Sequence, residues 1–572
     1  MIRKLADNIY SPLGTTTEEN YTAVKAGFTR LRRYEGGMGL PEPFVASLMD
    51  WDQVPSLPGY SRFECIAILS ARQALQQAGI DATQAGVLFV IATTKGNVEL
   101  LEQGDGDDES LLLGIAARRI ARYFGNENRP LVVCNACISG LAAQTAALRL
   151  LEAGYYETAV VIGADVQSRF IISGFQSLKA LADEECRPFD IERIGLNLGE
   201  AAATIVYTAA TANCHEELPA TAWMAVSGAV RNDAFHISGP SPKGEGSFRA
   251  IRAAMGDTPA DSLAFVNVHG TSTLYNDEME SAALERAGLN SLPVNSLKGY
   301  FGHTMGAAGV LETILSMRAA DDATVLGTKG FEELGVSHSV NVSAQNTTTT
   351  KHAFLKLLSG FGGCNAAMLF MNGKDGVLSC EGKGKMLDGI TVHLTPTYAE
   401  VNGRRLPTTS QGAELLTELY RSRINDYPKF FKMDELSRLG FVASELLLQA
   451  AGDRHADSED RAVILFGRSG SLVNDRKYQA TISQSDDFFP SPALFVYTLP
   501  NIVTGEIAIR NHYYGETSFY VLDEHDERLI NQVVSASFLD GTTSSAICGW
   551  VDCKSRDQFE AHLRLVSTDH QE

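Results

Sequence analysis

The stretch VVCNACISG (132–140) carries two cysteines spaced C-x-x-C just ahead of a helical pattern, and three chemistries use cysteines placed this way. A thioredoxin-like redox pair sits after the first strand of a small domain, whereas Cys134 and Cys137 come late in a long chain and lead into ISGLAAQ. A zinc site needs two more ligands, and no second C-x-x-C and no H-x-x-x-H occurs. A nucleophile needs one cysteine at a helix start, where the helix dipole and free backbone N–H groups favour thiolate and can hold an oxyanion. Cys137 is the better placed for that, because it directly precedes Ile138-Ser139-Gly140, and Cys134 then reads as the last buried residue of a strand. From this segment alone, a free core cysteine is an equally good reading of either.

Two further stretches add candidates. VNVHGTSTLYNDEMES (266–281) sets His269 after an apolar strand and before a Gly/Thr-rich turn, and VNSLKGYFGHTMGAAG (294–309) sets Lys298 and His303 around a glycine-rich turn entering a helix. A lone histidine is more often structural. Two at strand-to-loop transitions beside glycines, in a chain with 12 histidines, point to a site. In LLSGFGGCNAAMLF (357–370), Gly360, Gly362 and Gly363 flank Phe361, a turn that could aim an N–H at a reacting carbonyl or simply join two strands.

Positioning these residues requires a large α/β scaffold. The 572 residues exceed one ordinary core, and the first 370 or so alternate apolar strand-like runs with amphipathic helices. Strands are expected at 85–94 and 157–165, with a helix at 140–154 stopped by Gly154. Hydrophobic residues at 44% and charged residues at 20% are ordinary for globular protein, and the net charge of −21 argues against non-specific nucleic-acid binding. No signal-peptide core is present at the N-terminus, no run approaches the ~18 apolar residues of a membrane span, and nine scattered cysteines fit a reducing compartment, so a cytoplasmic location is expected.

The Gly/Lys-rich segment 372–389 reads as a linker, and the chain beyond it echoes the first part. FECIAILSARQALQQAGIDATQAGVLFVIATTKGN (63–97) is matched by LGFVASELLLQAAGDRHADSEDRAVILFGRSGS (439–471), and AVVIGADV (159–166) by AICGWVDC (546–553), where the echo ends. Aligning Gly541 with Gly154 puts Glu524, beside His525, where Cys137 stands in the first copy.

Taken in order, these motifs, together with RPFDIERIGLNLGEAAA (187–203) and NDAFHISGPSPKGEG (232–246), resemble the β-ketoacyl-acyl-carrier-protein synthases of the thiolase superfamily over residues 1 to about 371. The resemblance implies a layered α-β-α-β-α fold of two βαβαβαββ halves, about 1–208 and 209–371, followed by the linker and an incomplete third half at 390–572. It implies that Cys137 carries the acyl chain, that the N–H groups of Cys137 and Phe361 form an oxyanion hole with Phe361 as gate, that His269 and His303 promote malonyl decarboxylation, and that Lys298 holds their electrostatics. No cofactor or metal is implied. The implied partner is an acyl carrier protein, with a homodimer or a pseudo-heterodimeric packing against the fused module.

Where the family commonly has a small residue, Ile138 is expected to reshape the acyl pocket, and Ser359 and Cys364 also depart from its pattern. The incomplete copy lacks a nucleophile and resembles chain-length-factor partners, of the type associated with polyunsaturated, aryl-polyene-like products. Two other readings stand beside a decarboxylating synthase of fatty-acid or polyketide type: a non-catalytic partner protein, and a thiolase-type acyltransferase using Cys364 as second cysteine. Because carrier proteins are acidic, a basic entrance is expected, with Arg32, Arg33 and Arg62 and the run ARRIAR (117–122) as candidates.

Overall fold

The structure, a computed structural model, describes residues 2–104, 109–209, 222–373, 386–454, 457–483 and 488–568. Its first unit contains strand β1 (Ile2–Tyr10), helix α1 (Arg62–Ala78), strands β2 (Val87–Ala92) and β3 (Leu131–Val133), helix α2 (Ser139–Glu152), and strands β4 (Thr158–Asp165) and β5 (Ala201–Ala209). The sheet order is β3-β2-β4-β5-β1, with two parallel pairings followed by two antiparallel ones. Strands β2 and β4 are buried on both faces, which is why they read as continuous apolar runs. Helix α1 starts on a Ser61/Glu64 capping box and stops at Gly79 in the left-handed region, with φ +64°.

The second unit repeats this plan: β6 (Trp223–Asn232), α3 (Glu245–Met255), β7 (Phe265–Asn267), α4 (Leu274–Arg286), β8 (Pro293–Asn295), α5 (Ala308–Asp321), β9 (Ala353–Gly360) and β10 (Cys364–Asn372). Its order, β8-β7-β9-β10-β6, has the same two parallel and two antiparallel pairings. Helices α2 and α5 pack on each other between the two sheets, while α1 and α3 cover the outer faces, giving the α-β-α-β-α layering. The central helices approach closely because Gly140 faces Gly309: a Cβ on Gly140 would stand 2.6 Å from the Gly306 carbonyl and 3.0 Å from the Gly309 Cα.

A third unit has β11 (Met386–Thr395), α6 (Glu435–Ala451), β12 (Arg461–Gly467), α7 (Ile502–Asn511), β13 (Thr517–Val521), α8 (Glu527–Ser537), β14 (Ser545–Ser555) and β15 (Gln558–Thr568). The order β13-β12-β14-β15-β11 is again the same. The copy therefore does not end at AICGWVDC: β15 is the counterpart of β5, joined to β14 by a tight turn where the first copy carries a long insertion. The expected linker 372–389 is shorter than its composition suggested, since β10 reaches Asn372 and β11 begins at Met386; residues 374–385 lie outside the described residues.

The third unit docks on the first edge to edge. Strand β13 pairs antiparallel with β3, Tyr520 opposite Val133 and Val521 opposite Val132. Buried charges cross the same interface. Arg149 of α2 bonds Glu516, and Asp540 lies 3.2 Å from Arg231 and 3.7 Å from Arg149. Burial by itself would raise the Asp540 carboxyl, but Arg231 and Arg149 outweigh it and hold it at about 2. Lys95, also buried, reaches Asp475 at 2.6 Å and the Thr498 carbonyl at 2.6 Å. Two arginines of the basic run ARRIAR are engaged within the protein: Arg118 reaches Asp523 at 3.1 Å, and Arg119 reaches Glu64 at 2.7 Å. Among the described residues no helix is long and apolar enough to cross a membrane.

Candidate active site

Cys137 stands between the end of β3 and the first turn of α2, in a turn entered through Ala136 at φ +48°. A non-glycine residue in that region costs of order 1–3 kcal/mol, and here it turns the thiol into a cavity. The turn is held by Asn135, whose N–H donates to Ser139 Oγ at 2.8 Å and whose Oδ1 accepts the Phe519 N–H of β13 at 2.7 Å. Cys134 points the other way, fully buried with its Sγ 3.4 Å from the Thr94 carbonyl, and both cysteines are free thiols. The C-x-x-C spacing is thus one residue in the core and one in the cavity.

The cavity, of about 440 Å³, is lined by Cys137, His269, His303, Phe175, Phe361 and Ser359 among others. Cys137 Sγ and one ring nitrogen of each histidine all lie within 4.8 Å of one another. The two imidazoles meet edge to face, with centroids 5.0 Å apart at 83°. The backbone N–H of His269 donates to Glu280 at 2.7 Å, and that of Gly270 to the other oxygen of the same carboxylate at 2.7 Å.

His303 is clasped by the GLNLGE segment: its N–H donates to the Asn197 carbonyl at 2.7 Å and its carbonyl accepts the Gly199 N–H at 3.1 Å. Only glycine fits at 199, where a Cβ would stand 1.9 Å from the Phe301 carbonyl oxygen. Asp165 ties the next turn to the first sheet, accepting the Gly306 N–H at 2.7 Å and the Thr93 hydroxyl at 2.7 Å.

Electrostatics fix the protonation states. Burial, and then Lys298, lowers both imidazoles well below their ordinary range, so they are neutral near pH 7. His303 Nδ1 accepts the Met305 N–H at 3.3 Å, which puts the ring proton on Nε2, an atom with no partner among the described residues. Burial pushes the Cys137 thiol up to about 12, with Lys298 pulling the other way, although the residue stays partly open to the cavity. The thiolate expected at a helix start therefore gives way to a thiol, because desolvation outweighs the Lys298 charge and the backbone N–H.

Lys298 is buried and bonds Glu312, whose other oxygen takes Lys356 Nζ at 2.6 Å. Burial would raise Glu312, yet the two lysines outweigh it and lower it; burial lowers Lys356 to about 8 despite Glu312. Glu312 and Lys356 lie outside the motifs read from the sequence. Their signal was there, a lone acid in the otherwise apolar helical run GVLETILSM and a lone lysine in the strand AFLKLLSG.

The turn carrying Phe361 comes directly after β9. The Gly360 backbone lies against Cys137, since a Cβ there would be 3.2 Å from the Cys137 N, and Gly362 and Gly363 take φ +92° and +71°. Phe361 stacks on Phe175 at 6.3 Å between centroids.

Two expectations change. Ile138 does not narrow the cavity: its side chain is fully buried in the core around α2, and it is not a lining residue. Cys364 is likewise absent from the lining, buried with its Sγ on the carbonyls of Phe361 (3.2 Å) and Asn135 (3.6 Å). None of the docking candidates lines the cavity; Arg33 bonds Glu35 at 2.7 Å and the Asp183 carbonyl at 2.6 Å, Arg62 lies 3.7 Å from Glu99 and 4.9 Å over the Trp51 ring, and exposed Arg32 stays outside the wall. The cavity wall instead includes the exposed side chains of Ile194, Leu274 and Tyr275.

Comparison with known proteins gives a consistent picture. Residues 57–212 match the β-ketoacyl synthase N-terminal domain and residues 222–332 its C-terminal domain. The chain is 29% identical over 355 residues to the tetracenomycin polyketide synthase ketoacyl synthase alpha subunit of Streptomyces glaucescens, covering 55% of this chain and 82% of that protein. It is 27% identical over 407 residues to 3-oxoacyl-[acyl-carrier-protein] synthase 2 of Vibrio cholerae, covering 63% and 96%.

Among solved structures, the ketosynthase ApeO in complex with its chain length factor ApeC from Xenorhabdus doucetiae superposes with TM-score 0.59 at 24% identity, over 65% of this chain and 98% of that one. The PfaC keto synthase-chain length factor superposes on the whole chain with TM-score 0.80 at 13% identity, over 78% of its own length, so all three units share its fold. The first two units thus match the N- and C-terminal domains of β-ketoacyl synthases in order, and the third unit folds as another half of the same plan.

Proposed function

We propose that this protein condenses an acyl thioester with a malonyl thioester, both delivered on an acyl carrier protein, with loss of CO₂. The observation that carries this reading is the convergence of Cys137 Sγ and two neutral imidazoles within 4.8 Å in an otherwise largely apolar cavity. Cys137 Sγ attacks the acyl thioester carbon while the N–H groups of Cys137 and Phe361 hold the oxyanion. The carrier thiolate leaves with the proton given up by Sγ, which suits a nucleophile held as a thiol. Malonyl thioester then loses CO₂, and the electron pair left behind forms an enolate whose oxygen is held by His269 and His303. Neutral donors are what this step needs, since decarboxylation generates the carbanion without a base. The enolate carbon attacks the acyl-enzyme carbonyl, Cys137 sulfur departs as thiolate and takes up a proton from solvent, and the 3-oxoacyl thioester is released. Burial, reinforced by Lys298, which shares Glu312 with Lys356, keeps both imidazoles unprotonated. A thiolase-type route is disfavoured because Cys364 faces away from the cavity.

The experiment is intact mass spectrometry after mixing with acyl-carrier-protein thioesters. An acyl adduct lost in Cys137→Ala and kept in Cys134→Ala supports the assignment; an adduct lost only in Cys134→Ala, or none with any chain length, overturns it.

For the third unit we propose a chain-length-factor-like role. Phe495 stands edge-on to Phe175 at 5.5 Å and presses on α-helical Gly174, where a Cβ would be 2.1 Å from its ring, so this unit backs the cavity wall. Phe495→Ala is expected to lengthen the product; an unchanged product distribution sinks this role.

A further inference from the structure

The third unit has no nucleophile of its own, yet it reaches the gate of the first unit by more than packing. At the N-terminus of α7, Asn501 is buried, and its Nδ2 donates to the Phe361 carbonyl at 2.8 Å with a weaker contact to Cys364 Sγ at 3.7 Å. Every hydrogen bond shown by this side chain among the described residues thus goes to the gate. The backbone fit around it is equally close: a Cβ on Gly505 of α7 would stand 2.5 Å from the Gly362 carbonyl oxygen, and a Cβ on Gly362 would stand 2.6 Å from Asn501 Nδ2. On the opposite side of the turn, Asn232 Nδ2 donates to the Gly362 carbonyl at 2.8 Å and the Gly362 N–H donates to the Ile237 carbonyl at 2.7 Å. The turn is therefore fixed from both sides, and one side belongs to the third unit.

We propose that Asn501 is a positioning residue for the gate: by holding the Phe361 carbonyl it fixes the turn whose Phe361 N–H faces the acyl carbonyl, so the site of the first unit is completed by the third. The inference rests on the reading of Cys137 as acyl carrier. It separates two steps, because acylation uses the gate N–H whereas malonyl decarboxylation uses the histidine pair. A displaced donor near the reacting carbon slows its step about tenfold or more.

The test uses the full chain, with time-resolved intact mass for acylation and CO₂ release from malonyl-carrier protein for decarboxylation. Asn501→Leu removes the donor at similar volume; Asn501→Asp keeps the shape and turns an acceptor toward the carbonyl. Both are expected to fold and to slow acylation at saturating thioester by about tenfold or more, with the half-saturating concentration and the decarboxylation rate essentially unchanged. Asn501→Asp is expected to be the slower of the two, the reverse of what a packing role predicts, since Asp is the closer match in shape. Equal slowing of both steps, the opposite ranking, wild-type acylation in both variants, or loss of folding in either overturns the proposal. A wild-type chain that takes up no acyl group at Cys137 instead refutes the catalytic reading beneath it.

Discussion

Helices α2 and α8 hold the same place in two copies of one unit, and their surfaces differ for one reason. Along α2 every residue but Glu152 is buried, because α5 of the second unit covers its far side; α8 is amphipathic, with Glu527 and Arg528 exposed and Asn531, Gln532 and Ser535 half-buried. The paired strands tell the same story. The first seven residues of β5 are buried on both faces, whereas β15 begins with Gln558, Glu560 and His562 exposed between buried Phe559, Ala561 and Leu563. The third unit has no further half to cover this face, so polar residues replace apolar ones there.

Function obeys the same division. Counting from the strand end and the helix start, His525, not Glu524, takes the place of Cys137. The strained residue ahead of the nucleophile, Ala136 at φ +48°, has no counterpart at Glu524. The third unit has the scaffold of the first without a cysteine at this place or the backbone turn that carries it, and it touches the Phe361 turn through Asn501.

The sharpest way to break this comparison is at the nucleophile positions. Cys137→Ala should lower condensation by about 10⁴-fold or more, and His525→Cys should gain no further acyl adduct by intact mass, for want of the turn. Next in size, His303→Ala should slow malonyl decarboxylation by about 10²–10³-fold. Because burial keeps both imidazoles neutral, the wild-type decarboxylation rate should show no inflection at the ordinary histidine value of 6.5 and should fall only at more acid pH.

Stability should then separate the two helices. Gly140→Arg drives a side chain into the Gly306 and Gly309 backbones and should prevent folding, whereas Arg528→Ala, at the corresponding exposed place on α8, should change urea stability by no more than about 0.5 kcal/mol.

Between these lies the charge cluster that joins the units, where Asp540→Asn should cost about 3 kcal/mol near neutrality by leaving buried arginines short of a partner. The sign is fixed by the depressed carboxyl. Asp540 sits at about 2 against an ordinary 3.8, so its contribution is complete above pH 3.8 and is lost as the pH falls through about 2. Urea titrations across that range should show the loss in the wild type and not in Asp540→Asn.

Much of the site was legible in the chain. Cys137, His269, His303, Lys298 and Phe361 stand in local motifs whose turns need particular glycines, and local patterns survive in one dimension. Glu312 and Lys356 showed only as lone charges in apolar runs and Asn501 not at all, because each acts on residues distant in sequence and none sits in a motif of its own. The expected effect of Ile138 failed for a related reason: the side chain beside a nucleophile can face the core or the cavity, and only helix packing decides which.

The sequence by itself determined the fold class, the repeated strand–helix plan and the local motifs that hold Cys137, His269, His303, Lys298 and Phe361. Tertiary structure decided what depends on simultaneous neighbours: the burial that makes Cys137 a thiol and the histidines neutral, the pairing of β3 with β13, and the reach of Asn501 to the gate. Those are sums over groups far apart along the chain, and desolvation and hydrogen bonding are set only when the units close on one another.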